Sequence, residues 1–221
     1  MKKHKIIIAV ILFCMIQLVM PAIVFAQSGT IRELTGTVEI RRPGQAGFTA
    51  ARQGDTISSD TIISTGFRST ALIAVGSSIL TVRPLTVLTL TEIQSMAGTE
   101  TINVSLQAGR VRVDVNPPAG TRANVDIHGP VATASTRGTS FEFDTRTLTV
   151  YNGVVAFAGQ RGGTMLVSAG STSHVTESSR AADPIQVAIT SLMPAPVAGS
   201  DTGLNHIPPI VELMEVTLWL P

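Results

Sequence analysis

Apolar and polar residues alternate along most of this chain in short runs, and turn-forming residues separate the runs. The pattern is clearest at residues 110–115, 140–143, 147–151 and 154–157. A period of two places successive side chains on opposite faces of a strand, one buried and one exposed to solvent. Short strands with frequent turns predict an all-β fold: a layered β-sandwich, a barrel or a β-solenoid-like domain. No window has a helical period with capping residues at both ends.

Glycines mark two further features of the predicted sheet. Asn152 and Gly153 stand between two alternating runs and predict a tight hairpin, because both tolerate the positive φ of a type I′ turn. The pattern Gly-x-Val-x-apolar also begins at Gly36, Gly109 and Gly153, with spacings of 73 and 44 residues. Unequal spacings exclude a strict solenoid period. The repeat instead predicts similar β-corners stacked in a layered sheet.

The N-terminus is organised like a secretory signal peptide. A basic start precedes the apolar run at residues 6–16, and small residues precede a cleavage site after Ala26. The mature chain would then begin at Gln27. The alternative is an uncleaved membrane anchor, but Gln17 and Pro21 interrupt the ~20 apolar residues that a span needs. We therefore predict a periplasmic or secreted protein with no stable membrane span after cleavage.

Charge and cysteine content change once the leader is removed. The chain has 16 Lys+Arg and 15 Asp+Glu, and its three lysines all lie in the leader, so 13 arginines face 15 acidic residues in the mature part. A net charge near −2 gives no global electrostatic case for binding nucleic acid or an anionic membrane. Cys14 is the single cysteine and also lies in the leader. The mature domain therefore has neither a disulfide nor a thiolate metal site.

Composition divides the chain into three segments. Residues 1–26 are the predicted signal peptide, residues 27–176 the all-β domain, and residues 177–221 an extended C-terminal tail rich in Pro, Ala and Ser. An apolar run at residues 210–220 closes the tail. It is interpreted as a strand that docks on the domain or, alternatively, as a partner-binding segment through which the protein could form a homo-oligomer.

Four short motifs, in the same order, resemble segments of the FecR domain family over roughly residues 36–158. The residues that carry the resemblance are Gly54, Asp55, Gly109, Arg110, Arg137, Gly138, Thr139, Phe141 and Gly153. The resemblance implies an envelope-side all-β domain for sensing or interaction, in which these motif residues are mainly structural. It does not imply a role in iron transport.

Three departures from the family pattern bear on function. Ser140 replaces the usual glutamate, and Val75 stands where the family usually has an aspartate before Gly-Ser. Family members that regulate sigma factors carry a cytoplasmic segment and a transmembrane helix before this domain. Here the domain follows a signal peptide directly, so the anti-sigma arm is expected to be absent.

Few residues suggest catalytic or metal chemistry. Arg137 could be a ligand-binding cation, although an arginine in a tight turn more often contacts backbone carbonyls or one carboxylate. Glu142 and Asp144 share one strand face, as two acid–base carboxylates would, but the solvated face of a strand gives the same pattern. Asp201 matches an aspartic-protease triplet without the second copy that this chemistry requires. The histidines stand singly, without the spacing of metal ligands.

These observations predict a non-enzymatic exported domain that binds or senses a protein or polymer of the cell envelope without a cofactor. A signalling or transport system is the setting in which we expect it to act. Recognition would use the edge or face of a rigid sheet. The alternative is a structural or oligomerising protein of the envelope or cell surface. A third hypothesis is a part in an iron-responsive sigma-regulator system, acting through a separate membrane partner.

Overall fold

The computed structural model describes residues 27–96 and 98–192, which form seventeen strands and one helix, α1 (Pro184–Leu192). Sheet 1 contains β1 (Gly29–Thr35), β4 (Thr56–Ile57), β6 (Thr70–Val75), β7 (Ser78–Val82), β10 (Val111–Val115), β13 (Ser140–Phe143), β14 (Thr147–Asn152) and β17 (Thr172–His174). Sheet 2 contains β2 (Val38–Arg41), β3 (Thr49–Ala50), β5 (Thr61–Thr65), β8 (Val87–Met96), β9 (Thr99–Ala108), β11 (Arg122–His128), β12 (Ala132–Arg137), β15 (Val154–Gly159) and β16 (Met165–Ser168).

The chain passes repeatedly between the two sheets. The strand order is β17-β14-β13-β10-β7-β6-β1-β4 in sheet 1 and β16-β15-β12-β11-β9-β8-β5-β2-β3 in sheet 2. Neighbouring strands are antiparallel except for β9 and β11, whose ladder is parallel. Each sheet is thus extended layer by layer as the chain proceeds, and the last strands, β16 and β17, lie at the same end of the molecule.

The apolar residues of the alternating runs lie in the core, and the polar residues between them lie on the surface. In β10, Val111, Val113 and Val115 are buried, and Arg112 and Asp114 point outward. The same alternation recurs in most of the longer strands, so that each sheet turns one apolar face toward the other. Burial of these faces is the main favourable contribution to folding.

Aromatic side chains join the buried faces into one core. Phe143 of β13 and Phe157 of β15 are fully buried and meet edge to face, with ring centroids 6.1 Å apart and an interplanar angle of 73°. This geometry is favoured for aromatic pairs. Phe141 is also fully buried, as predicted. The layered all-β fold expected from the alternation is therefore confirmed, and it is a two-sheet sandwich.

The repeated glycines form corners at which the chain crosses between sheets. Gly36 connects β1 to β2, Gly109 connects β9 to β10, and Gly153 connects β14 to β15. Their φ angles are 73°, 84° and 77°, a region that other L-residues rarely adopt. The predicted stack of similar β-corners is confirmed.

The predicted hairpin at Asn152 and Gly153 is wrong. β14 pairs with β13 and β17 in sheet 1, and β15 pairs with β12 and β16 in sheet 2. A type I′ turn requires positive φ at both central residues, but only Gly153 has it. The chain therefore leaves sheet 1 at this point, and the three runs after residue 139 do not form a single meander.

One short helix, α1, lies within the segment predicted to be an extended tail, so that prediction is wrong for residues 184–192. Asp183 caps this helix, since its Oδ1 accepts a hydrogen bond from the Ile185 amide at 2.9 Å. Pro184 occupies the first helical position, where its fixed φ is favourable. None of the helical residues is buried. Within the described ranges no helix is long and apolar enough to cross a membrane.

Several sequence-based predictions concern other parts of the chain. The signal peptide with its cleavage after Ala26, the apolar run at residues 210–220 and the triplet that begins at Asp201 lie outside the described residues.

Candidate functional site

The residues that carry the family resemblance do not converge on one site. Gly54 and Asp55 lie in the turn before β4, and Phe141 is in the core. The crossovers between sheets lie along two opposite edges of the sandwich, and Gly109 and Arg110 are on one of these edges. Four motif residues lie together on the other edge: Arg137, Gly138, Thr139 and Gly153.

Threonines, not Arg137, hold the corner between β12 and β13. The hydroxyl groups of Thr136 and Thr139 hydrogen-bond to each other, and Thr139 packs against Gly153. Gly138 has a φ of 74°, a conformation that other L-residues rarely adopt. The Arg137 side chain is exposed and makes no hydrogen bond or ion pair within residues 27–96 and 98–192. The contacts predicted for a structural arginine are therefore not seen.

Arg137 borders a shallow groove on the outer face of sheet 2. The groove has a volume of about 600 Å³ and crosses β9, β11, β12, β15 and β16. Polar side chains line one end, namely Thr101, Asn124 and Asp126. Apolar side chains line the other end, namely Val154, Ala156 and Leu166. The backbone ladder fixes their relative positions, because Arg137 is paired with Asn124 and Ser135 with Asp126.

Polar groups in this groove lack partners. The Oδ1 atom of Asn124 is buried and accepts no hydrogen bond within the described part of the chain. A buried acceptor without a donor is unfavourable by about 1–3 kcal/mol. Asp126, two residues further along β11, forms no ion pair with Arg137 or with any other described side chain. The groove therefore presents a cation, a carboxylate and an amide oxygen whose hydrogen-bonding capacity is unused.

Charged groups on the outer face of sheet 1 are paired instead. Glu142, whose side chain is only 13% exposed, lies 3.1 Å from Arg83 and 3.2 Å from Arg110. Arg110 also lies 3.5 Å from Asp144. These contacts link β7, β10 and β13 with the turn that follows β13. The motif residue Arg110 thus connects neighbouring layers of sheet 1.

Arg112 and Asp114 form a second pair on this face. Arg112 Nε and Nη2 donate to the two carboxylate oxygens of Asp114 at 3.0 and 3.1 Å, and its guanidinium lies 4.5 Å from the centre of the Tyr151 ring. Burial by itself would raise the pKa of Asp114, but the hydrogen bonds from Arg112 and Ser140 outweigh it, so the pKa lies below its ordinary value. The Arg112 pKa is raised, chiefly by its hydrogen bond to Asp114.

The two carboxylates considered as an acid–base pair both contact an arginine. Glu142 and Asp144 are both bound by Arg110, so they are engaged as ion-pair partners rather than positioned as an acid–base pair. Within the described ranges, no three His, Cys, Asp or Glu side chains are grouped closely enough to hold a metal ion.

Sequence reasoning missed Asn124, Val154 and Leu166. Val154 and Leu166 occupy outward positions, and their side chains are 47% and 67% exposed although both are apolar. The signal was the consecutive apolar run at residues 165–167, where strict alternation would place a polar residue in the middle. Asn124 had no comparable signal, because its environment is created by the pairing of β11 with β9 and β12.

Comparisons with known proteins found one family model and two solved structures that are similar to this chain. The model of the family described as "FecR protein" matches residues 61–156. Two crystal structures of a proposed anti-sigma factor from Parabacteroides distasonis are similar to the chain, each with a TM-score of 0.44 and with 14% and 13% identity. The similarity covers 57% and 59% of this chain, and 62% and 64% of those chains, which is less than two thirds of their length.

No curated protein matches the sequence. The matched residues extend from the first residue of β5 into β15, and so include most of both sheets and the Arg137 corner. Residues 61–156, the central part of the two-sheet sandwich, therefore resemble the FecR family.

Proposed function

We propose that this protein is an exported, non-enzymatic binding domain that recognises a segment of a protein or polymer of the cell envelope through the groove on sheet 2. Export rests on the signal-peptide pattern of the leader, and a place in a signalling system rests on the resemblance to the FecR family. The observation that carries the proposal is the exposed, unpaired Arg137 beside the buried, unpartnered Oδ1 of Asn124. A ligand carboxylate would satisfy Arg137, and a ligand N–H that displaces the atoms covering Asn124 Oδ1 would satisfy that acceptor.

The form of the groove favours an extended polypeptide segment. It crosses five strands that are consecutive in sheet 2, and four spacings of ~4.8 Å give a length of roughly 19 Å. About six residues of extended chain cover that distance. The apolar end formed by Val154 and Leu166 would accept an apolar side chain, Arg137 a carboxylate, and Asn124 an amide N–H.

A panel of seven-residue fluorescent peptides tests this function. The peptides combine an apolar residue with an acidic residue at varied spacing, and anisotropy measures their affinity for the full chain. We expect Arg137→Ala to weaken the best peptide about ten-fold, because one charge-assisted hydrogen bond is lost. The control is Arg122→Ala, which removes an exposed arginine of the same edge that does not line the groove. Equal affinity for wild type and Arg137→Ala would rule out the groove as the binding site.

One feature favours the alternative of an oligomerising envelope protein. β16 is the last strand of sheet 2, so its outer edge has no strand partner within the described chain. A second copy could extend the sheet there. Light scattering on the full chain and on the chain truncated before Glu177 separates the functions. A binding domain keeps its affinity for the peptide and is monomeric in both forms. An assembly through the tail becomes monomeric on truncation, whereas an assembly through the β16 edge keeps its size.

A sigma-regulator role is the third candidate function, and it requires a second protein. The anti-sigma activity would have to reside in a membrane partner that supplies a cytoplasmic segment. Affinity purification from envelope extracts with the cross-linked full chain should then recover such a membrane protein. Repeated recovery of only soluble partners would argue against this role.

A further inference from the structure

The edge of the sandwich opposite Arg137 is a continuous row of crossovers joined by hydrogen bonds. The Gly66 amide donates to the Thr37 carbonyl at 2.9 Å, and the Leu85 amide donates to the Gly66 carbonyl at 3.2 Å. The Thr86 hydroxyl donates to the Arg110 carbonyl at 3.0 Å. Three successive layers are thereby aligned along one edge.

The same row continues into the last layers. Arg110 forms an ion pair with Asp144, which lies in the same turn as Arg146. Three backbone hydrogen bonds of 2.9 Å continue the row. The Val175 amide donates to the Arg146 carbonyl, and the Thr176 amide donates to the Arg180 carbonyl. The Arg161 amide donates to the Ser179 carbonyl. This row carries six arginines and is called the arginine edge: Arg68, Arg83, Arg110, Arg146, Arg161 and Arg180.

Positive charge is in excess along the arginine edge. The carboxylates on the same segments are Glu142, Asp144, Glu177 and Asp183, four against six arginines. Glu142 and Asp144 are bound to Arg83 and Arg110. The other four arginines are exposed and form no ion pair in the described part of the chain. Each guanidinium presents a planar fork of N–H donors that fits a phosphate group.

Two bulky apolar side chains project from the same edge. Phe67 is 73% exposed and Leu85 is 62% exposed, and they lie on crossovers that are hydrogen-bonded to each other. The chain takes positive φ beside them, 53° at Arg68 and 56° at Leu85. Non-glycine residues rarely adopt this conformation. The Arg68 guanidinium lies 5.3 Å from the centre of the Phe67 ring.

We propose that the arginine edge docks on an anionic lipid surface, with Phe67 and Leu85 entering the headgroup region and the unpaired arginines contacting lipid phosphates. Apolar tips flanked by cations are the combination that binds such an interface. An acidic polypeptide would meet the charge, but protruding side chains then need pockets in the partner, whereas a lipid surface accepts them directly. The row extends from β6 to β17, five strand spacings or roughly 24 Å.

This surface is independent of the groove. β12 and β15 each extend from the arginine edge to the Arg137 corner, and Ala132 pairs with Gly159 at the near end. A six-residue strand is roughly 20 Å long. A domain that rests on lipid through the arginine edge would therefore hold the groove away from the surface, open to a ligand.

Site-specific fluorescence on the full chain tests the proposal. An environment-sensitive dye is attached at Leu85→Cys in a Cys14→Ser background, and separately at Phe67→Cys. The matched control carries the dye at Leu166→Cys. Leu166 is about as exposed as Leu85 but lies in the groove. The probes are vesicles that contain about one third phosphatidylglycerol and vesicles of phosphatidylcholine alone. The apolar leader can attach the chain to both kinds, but a dye on residue 85 reports only its own edge.

We expect the dye at positions 67 and 85 to shift to the blue and at least double in intensity with anionic vesicles, with little change on neutral vesicles and none at position 166. Combined Arg146→Glu, Arg161→Glu and Arg180→Glu should reduce that response several-fold. Unchanged emission at both positions on anionic vesicles would overturn the proposal, and so would an equal response to neutral vesicles. A response to poly-glutamate but not to vesicles would assign the edge to an acidic polypeptide instead.

Discussion

The two outer faces of the sandwich use charge differently. On sheet 1, Arg110 and Arg112 are bound to carboxylates on their own or adjoining layers. Beside the groove on sheet 2, Arg137 and Asp126 stand close in register but form no ion pair within the described residues. Both faces come from the same alternating pattern, and nothing in the alternation itself distinguishes them.

This difference separates charges that hold layers together from charges that are open to a ligand. A paired arginine between strands contributes to the stability of the domain and has little free capacity for another partner. An unpaired arginine on a rigid strand contributes little to stability, but it is positioned in advance for a carboxylate. The comparison predicts that stability and binding should respond to substitutions on different faces.

The largest loss of unfolding free energy is expected from a substitution at a corner that connects the two sheets. Gly109 joins β9 of sheet 2 to β10 of sheet 1, and a Cβ there would lie 2.5 Å from the Leu85 carbonyl oxygen and from Thr86 Cα. We expect Gly109→Ala to lower the unfolding free energy by about 3 kcal/mol, because overlap adds to the cost of positive φ. The control is Gly44→Ala, which has a φ of 78° but open space, and should cost about 1 kcal/mol. Urea denaturation compares the two, and equal losses would contradict the corner argument.

A charge substitution on sheet 1 should change stability without changing binding in the groove. Glu142→Gln keeps the shape of the side chain but removes the charge that Arg83 and Arg110 share. Hydrogen bonds to charged groups are stronger than those between neutral groups, so we expect a loss of about 1–2 kcal/mol in unfolding free energy. Peptide binding in the groove should be unchanged. A variant as stable as wild type would show that this network is not stabilising.

The effect of pH on Asp114 gives a smaller signal. Because its folded-state pKa lies below its ordinary value, Asp114 contributes stability at pH values above the unfolded pKa of about 3.9, and loses that contribution as pH falls through the folded pKa. Asp114→Asn should therefore be less stable than wild type near pH 7, by up to about 1 kcal/mol. The difference should shrink in acid. Thermal unfolding from pH 7 down to pH 2 measures it, and a difference that grows on acidification would reverse the assigned sign.

The smallest effect on stability is expected at Arg137. Its side chain has no hydrogen bond or ion pair within the described part of the chain, so Arg137→Ala should change the unfolding free energy by less than about 0.5 kcal/mol. The same variant is the one that should lose peptide affinity. If Arg137→Ala proves strongly destabilising, the arginine has a structural role and the contrast between the two faces fails.

The alternation in the sequence was sufficient to predict the strands and the core. Residues such as Val113 and Phe141 are buried because strand periodicity places them on an inward face, whatever the neighbouring strand is. Alternation does not predict which of the two sheets each strand joins. The dipeptide at Asn152 and Gly153 has the local signature of a hairpin, but β14 pairs with β13 in sheet 1 and β15 pairs with β12 in sheet 2.

The groove could not be derived from local sequence, because strands distant along the chain supply its lining. Asn124 and Thr101 become neighbours through the ladder between β11 and β9. The helix α1 was missed for a different reason: a nine-residue helix with no buried side chain has only weak periodicity. The capping pair formed by Asp183 and Pro184 was its one clear local signal.

The single parallel ladder has a consequence for the order in which the domain folds. β9 and β11 can pair only after the intervening chain has left sheet 2, formed β10 in sheet 1 and returned. The antiparallel hairpins β6–β7 and β8–β9 close with short turns and lose much less chain entropy. We therefore expect residues 61–108 to be ordered in the folding transition state, while the seam between β9 and β11 forms late and limits the folding rate.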